Sequence, residues 1–127
     1  MTDEAFISFL TALRDRCGAK LCGSWAEGTQ DMKPGMFSDI DLVVRYTDRE
    51  EGKTRPIEEA IKVFDEFGVP WDSHIVGQIS SPRDLQTLPR PVEVMESSWI
   101  APKPEYKPEV NVFGVTFQSF RRSWRQR

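Results

Sequence analysis

The sequence predicts an α/β (α+β) fold, a small mixed β-sheet flanked by helices, and three observations predict it. Two segments carry apolar residues at helical spacing: Phe6, Phe9, Leu10 and Leu13, then Ile57, Ala60, Ile61, Phe64 and Phe67. Short runs that alternate or are wholly apolar lie between and after them, as strands do. Gly18 and Gly68 stand where the two helical stretches should stop. At 127 residues the chain is sized for one domain, residues 1–120, followed by a basic tail at 121–127.

Taken in order, Thr2 can cap a helix that runs to about residue 16. Residues 19–22 make a short buried strand that ends in a Gly23-Ser24 turn and a short helix. Met32 to Phe37 reads as a loop, with Lys33-Pro34-Gly35 a turn inside it. Residues 39–46 form the next strand, with Ile40, Leu42 and Val44 on one face and Asp39, Asp41 and Val43 on the other. An exposed break at 47–53 leads to a helix over 56–67, which Pro56 suits at its first turn. Residues 69–79 read as a third strand with Asp72, His74 and Val76 on one face. Ser81-Pro82 starts one or two helical turns over 81–88. Residues 92–95 form a further short strand, 101–108 an irregular proline-rich stretch, and 111–120 a last strand in which Phe113, Val115 and Phe117 share a face.

The chemistry concentrates between Leu21 and Val44. Two carboxylates at i and i+2 of a strand lie on one face about 6.6 Å apart along the chain, a pair that can grip a divalent cation from one side. Gly23 has no Cβ, so a ligand can approach its backbone, and Ser24 stands where a following helix would offer unpaired N–H groups to a phosphate. Each feature has a plainer alternative: a solvated strand face for Asp39 and Asp41, an ordinary helix cap for Ser24. Trp25 and Trp71 could stack on a base or simply pack in the core. His74, the one histidine, could orient a substrate or serve the fold.

An apolar residue before Gly-Ser, then Asp-x-Asp on the next strand, here Leu21-Cys22-Gly23-Ser24 and Ser38-Asp39-Ile40-Asp41-Leu42-Val43-Val44, resembles the polymerase-beta-like nucleotidyltransferase superfamily, its small stand-alone members most closely. The resemblance implies that family's fold, two Mg2+ ions and a nucleoside triphosphate, with ATP the expected one. It also implies transfer of an NMP to a hydroxyl with release of pyrophosphate. Asp39 and Asp41 would hold both metals, Gly23 and Ser24 the phosphates, and a later strand a third carboxylate. Asp72 fits that third place best, ahead of Asp65, Glu66 and Glu93; its alternative is a turn residue after Pro70. One departure is Glu27, where many relatives carry an arginine between the small residue and the glycine.

Relatives of this size are often paired with a separate helical protein, as in toxin-antitoxin systems, so a helical protein is the expected partner or acceptor. The alternative is a module that keeps the fold without turnover and neutralises a partner. Four of the 17 basic residues and none of the 20 acidic ones lie after residue 120, which leaves the first 120 residues at −7. Such a body does not point to nonspecific nucleic-acid binding, although an RNA acceptor stays open. Arg121, Arg122, Arg125 and Arg127 are a solvated terminus or a grip for an acidic partner. Acids at the N-terminus and no long apolar run predict a cytoplasmic chain with no membrane span, and Cys17 and Cys22 read as free buried thiols.

Overall fold

The computed structural model describes residues 1–32, 38–46, 54–84 and 86–123. The Lys33-Pro34-Gly35 turn, the break at 47–53, Arg125 and Arg127 lie outside the described residues. Among the described residues the fold is mixed α+β, with three helices and a small mixed sheet.

Helix α1, Asp3–Cys17, starts where the Thr2 hydroxyl accepts the Ala5 N–H at 3.1 Å and ends at Gly18, whose φ of 66° a side chain would resist. Asp3 and Glu4 in its first turn and Arg14 and Arg16 in its last complement the helix dipole. Helix α3, Pro56–Glu66, packs on α1 through an edge-to-face Phe9–Phe64 pair with centroids 5.0 Å apart, while Arg16 bridges to Glu59 at 2.7 Å and to Glu66. Both helices cover one face of the sheet.

That sheet contains β1 (Lys20–Cys22), β2 (Ile40–Arg45), β3 (Gln78–Ser80) and β4 (Val92–Ser97) in the order β1-β2-β4-β3. β2 and β4 are parallel neighbours at the centre; β1 and β3 run antiparallel at the two sides. Alternation along β2 and β4 sends Ile40, Leu42, Val44, Val92 and Val94 into the core with Phe6, Leu10 and Phe64. Asp41 and Glu93 therefore face away from the helices. The open edge of β1 is covered by Ser119 and Phe120, whose N–H donates to the Leu21 carbonyl at 3.0 Å.

Four expectations are corrected. Residues 69–79 are not one strand: Asp72 and Ser80 exchange both backbone hydrogen bonds at 2.9 Å, so the chain doubles back through 73–79 and only Gln78–Ser80 joins the sheet. No helix forms among the described residues of 81–88, because Ser81 extends the ladder instead: its N–H donates to Val92 O and its hydroxyl accepts the Val92 N–H, both at 2.9 Å. Residues 111–120 are not one strand either. β6 (Glu109–Val112) and β7 (Val115–Gln118) form a hairpin whose two-residue loop, Phe113-Gly114, has φ of 52° and 90°, the signature of a type I′ turn. Finally, the tail does not begin free at 121, since β8 (Arg121–Ser123) pairs with β5 (Trp99–Ala101). No helix among the described residues is long and apolar enough to cross a membrane.

Candidate functional site

Register builds the site. Cys22 pairs with Asp41 across β1 and β2, Asp41 with Glu93 across β2 and β4, and Glu93 with Ser80 across β4 and β3. In a sheet, paired residues share a face. Asp41 and Glu93 are thus side by side, and Asp39, two residues before Asp41, completes a trio whose carboxylate oxygens lie within 4.8 Å of one another. All three are half-buried.

Asp72 is the correction. It sits in the same row, paired to Ser80, but two strand spacings beyond Glu93, about 10 Å. It is exposed and takes no part in the trio. The physical reason is strand order: β4 inserts between β2 and the segment that follows α3, so the carboxylate beside Asp41 comes from β4. Asp65 accepts the Trp71 indole N–H at 3.0 Å and Glu66 pairs with Arg16, which keeps both on the helix side. The signal for Glu93 was present in the sequence as Val92-Glu93-Val94, the same acid-between-apolars alternation that marks Asp41.

The trio opens on a cleft of about 670 Å³ that also contains Gly23, Ser24, Arg83, Lys103, Tyr106 and Arg121. Gly23 begins the five-residue helix α2, Gly23–Glu27, directly after β1. Its φ is 71°, and a Cβ there would lie 2.4 Å from Asp41 Oδ2 and 3.2 Å from Asp41 Cβ. Only glycine satisfies both constraints. The Gly23 N–H donates to the Tyr106 hydroxyl at 3.2 Å. Burial pushes the Tyr106 phenol above its ordinary pKa, with the Gly23 N–H pulling the other way.

Cations surround the acids. One Arg83 nitrogen, Nη1, contacts both Asp39 oxygens at 2.8 Å. Lys103 Nζ bonds Glu27 at 2.9 Å and sits 5.1 Å from the Tyr106 ring centroid; the Glu27 bond raises the Lys103 pKa, so it stays charged. Glu27 thereby holds a cation from a distant segment. Arg121, expected in a solvated tail, reaches the cleft beside Trp99.

A staple fixes the approach to Asp39. Asp31 accepts the Ser38 N–H at 2.9 Å and returns its own N–H to the Ser38 hydroxyl at 3.0 Å, while the Trp25 indole N–H donates to Ser38 O at 3.3 Å. Arg90 grips both Asp31 oxygens at 2.7 and 2.6 Å and lies over the Trp25 ring. Together with the Ser38 bond, Arg90 holds the Asp31 carboxyl down at a pKa of about 2. Trp25 and Trp71 pack against the core, and His74 is exposed in the 73–79 turn, away from the cleft. Cys17 and Cys22 are buried thiols, and burial pushes the Cys17 thiol up to about 12.

No protein-family model, curated protein or solved structure matches this chain.

Proposed function

We propose that the protein is a Mg2+-dependent nucleotidyltransferase of the polymerase-beta-like fold, moving an NMP, AMP first among them, from a nucleoside triphosphate to a hydroxyl of a protein, RNA or small-molecule acceptor. The observation that carries this reading is the Asp41–Glu93 register, which sets three carboxylates from two parallel neighbours on a cleft shared with the Gly23-Ser24 turn. The donor set fits the metal: hard carboxylate oxygens, close enough to share an ion, with room for water to complete the shell. Asp39, Asp41 and Glu93 would hold it. A metal held there would supply charge neutralisation for the oxygens of an in-line displacement.

The chain's own residues supply the rest. Gly23 leaves Asp41 its position and lets a phosphate come close to the backbone, while Lys103 and Arg121 bring positive charge to the same cleft. The acceptor oxygen bonds to the α-phosphorus, the bond from that phosphorus to the bridging oxygen breaks, and pyrophosphate leaves with the electron pair. The acceptor's proton passes to a carboxylate of the trio.

The test is incubation with α-labelled nucleoside triphosphates and Mg2+, alone and with cell lysate. Transfer of label that disappears in Asp39→Ala and Asp41→Ala supports the reading. A second reading, a neutralising subunit without turnover, is favoured by one observation: Arg83 on Asp39, Glu27 on Lys103 and Tyr106 on Gly23 let the site's groups satisfy one another. Nucleotide binding with no transfer under any condition would select it.

A further inference from the structure

Lys103 and Tyr106 belong to two hollows at once. Beyond the acidic cleft they also line a groove of about 610 Å³, whose other walls include Pro102, Pro104, Pro108 and Phe120. Prolines carry no N–H and have a fixed φ, so this wall is apolar and already rigid. Its polar groups gather at one place. Glu109 and Gln118 are register partners on β6 and β7, and both line the groove with Ser119. Gln118 Oε1 accepts from Lys20 Nζ at 2.8 Å, which fixes the amide's orientation and leaves its NH2 as a donor beside the Glu109 acceptor. Ser119 is 5% exposed, and its Oγ has no hydrogen-bond partner. A buried hydroxyl without a partner is uncommon, and this one belongs to a residue of the groove's lining.

We propose that this groove holds the purine ring of the nucleotide whose phosphates lie in the acidic cleft, an inference that rests on the transferase reading above. A flat heterocycle suits walls of proline and aromatic ring, and its edge carries the donors and acceptors that Glu109 and Gln118 complement. The volume is that of a small-ligand pocket, commonly about 300–1,000 Å³. The feature that links the two hollows is the pair of residues they share, Lys103 and Tyr106; on this proposal one molecule with an anionic end and a flat end reaches into both, with the Lys103 ammonium between them.

Calorimetric titration of the intact protein with Mg2+ and, in turn, inorganic tripolyphosphate, ATP, GTP, CTP and UTP tests it, alongside Phe120→Ala and the exposed-site variant Glu109→Ala. The expected result is purine triphosphates binding about tenfold more tightly than pyrimidine ones or tripolyphosphate. Phe120→Ala should remove most of that gain and leave tripolyphosphate unchanged; Glu109→Ala should alter the order among bases. Equal binding of tripolyphosphate and every nucleotide, untouched by either variant, overturns the groove assignment and leaves the transferase reading standing. Absence of binding by all five overturns both. If Phe120→Ala proves unfolded, Glu109→Ala alone decides, and an unchanged base order in it counts against the proposal.

Discussion

Gly23 and Asp41 are packed so closely that a methyl group on the first would fall 2.4 Å from a carboxylate oxygen of the second. Gly28 offers a control, because its φ is also positive, at 77°, yet a Cβ there meets nothing within 4 Å. Both alanine variants carry the left-handed backbone cost, about 1–2 kcal/mol. Gly23→Ala must in addition push the Asp41 carboxylate aside. Thermal unfolding should therefore register a loss in both, while Mn2+ affinity should fall about tenfold or more in Gly23→Ala alone. Equal metal affinity in the two variants would remove Asp41 from the metal site.

Arg83 holds Asp39 as an internal stand-in for a cation, and its side chain is 68% exposed. Exposed ion pairs contribute only about 0–1 kcal/mol. Arg83→Gln should therefore raise Mn2+ affinity in the absence of nucleotide by up to about fivefold, measured by calorimetry. A fall in affinity would mean that Arg83 orients Asp39 rather than competing for it.

The two third-carboxylate candidates separate by substitution. Glu93→Gln should reduce Mn2+ affinity and label transfer by more than the roughly 10–100-fold typical of changes beside a ligand. Asp72→Asn, about 10 Å from Glu93 in the same row, should leave both near the wild-type value. The reverse pattern would restore Asp72 to the site.

The Asp31–Arg90 staple predicts a pH dependence with a definite sign. The folded Asp31 carboxyl lies near 2, below an unfolded value of about 3.9, so its stabilisation is fully present above the unfolded value and is lost as pH falls through the folded one. Asp31→Asn should lower the melting temperature at pH 7 and at pH 5, and the difference from wild type should shrink as pH falls below about 4 and vanish only below the folded value of about 2. A difference independent of pH would mean that the Ser38 bonds, not the charge, do the holding.

Local signals made half of the site legible. Asp39 and Asp41 followed from strand alternation, and Gly23-Ser24 from the requirement for a small residue at a turn. Glu93 was harder because its place depends on which strands are neighbours, a fact set by the long excursion between β2 and β4 rather than by residues near either. The hairpin at 109–118 was hidden because Phe113 occupies a left-handed position usually given to Asn or Gly. Its ring finds compensation in an edge contact with Phe6, centroids 5.2 Å apart. The tail misled for another reason: backbone pairing of Arg121–Ser123 with β5 is indifferent to the arginines that made it read as solvated.

The hydrogen bond from Gly23 to Tyr106 spans 83 residues, and the edge of β1 waits for Ser119 and Phe120. A chain emerging from the ribosome therefore carries its two strand aspartates long before Glu93, Tyr106 and the covering segment exist. Closure of such distant partners comes late and slowly in folding. Until residue 120 has been made, the nascent chain cannot bring Asp41, Glu93, Tyr106 and the covered edge of β1 together.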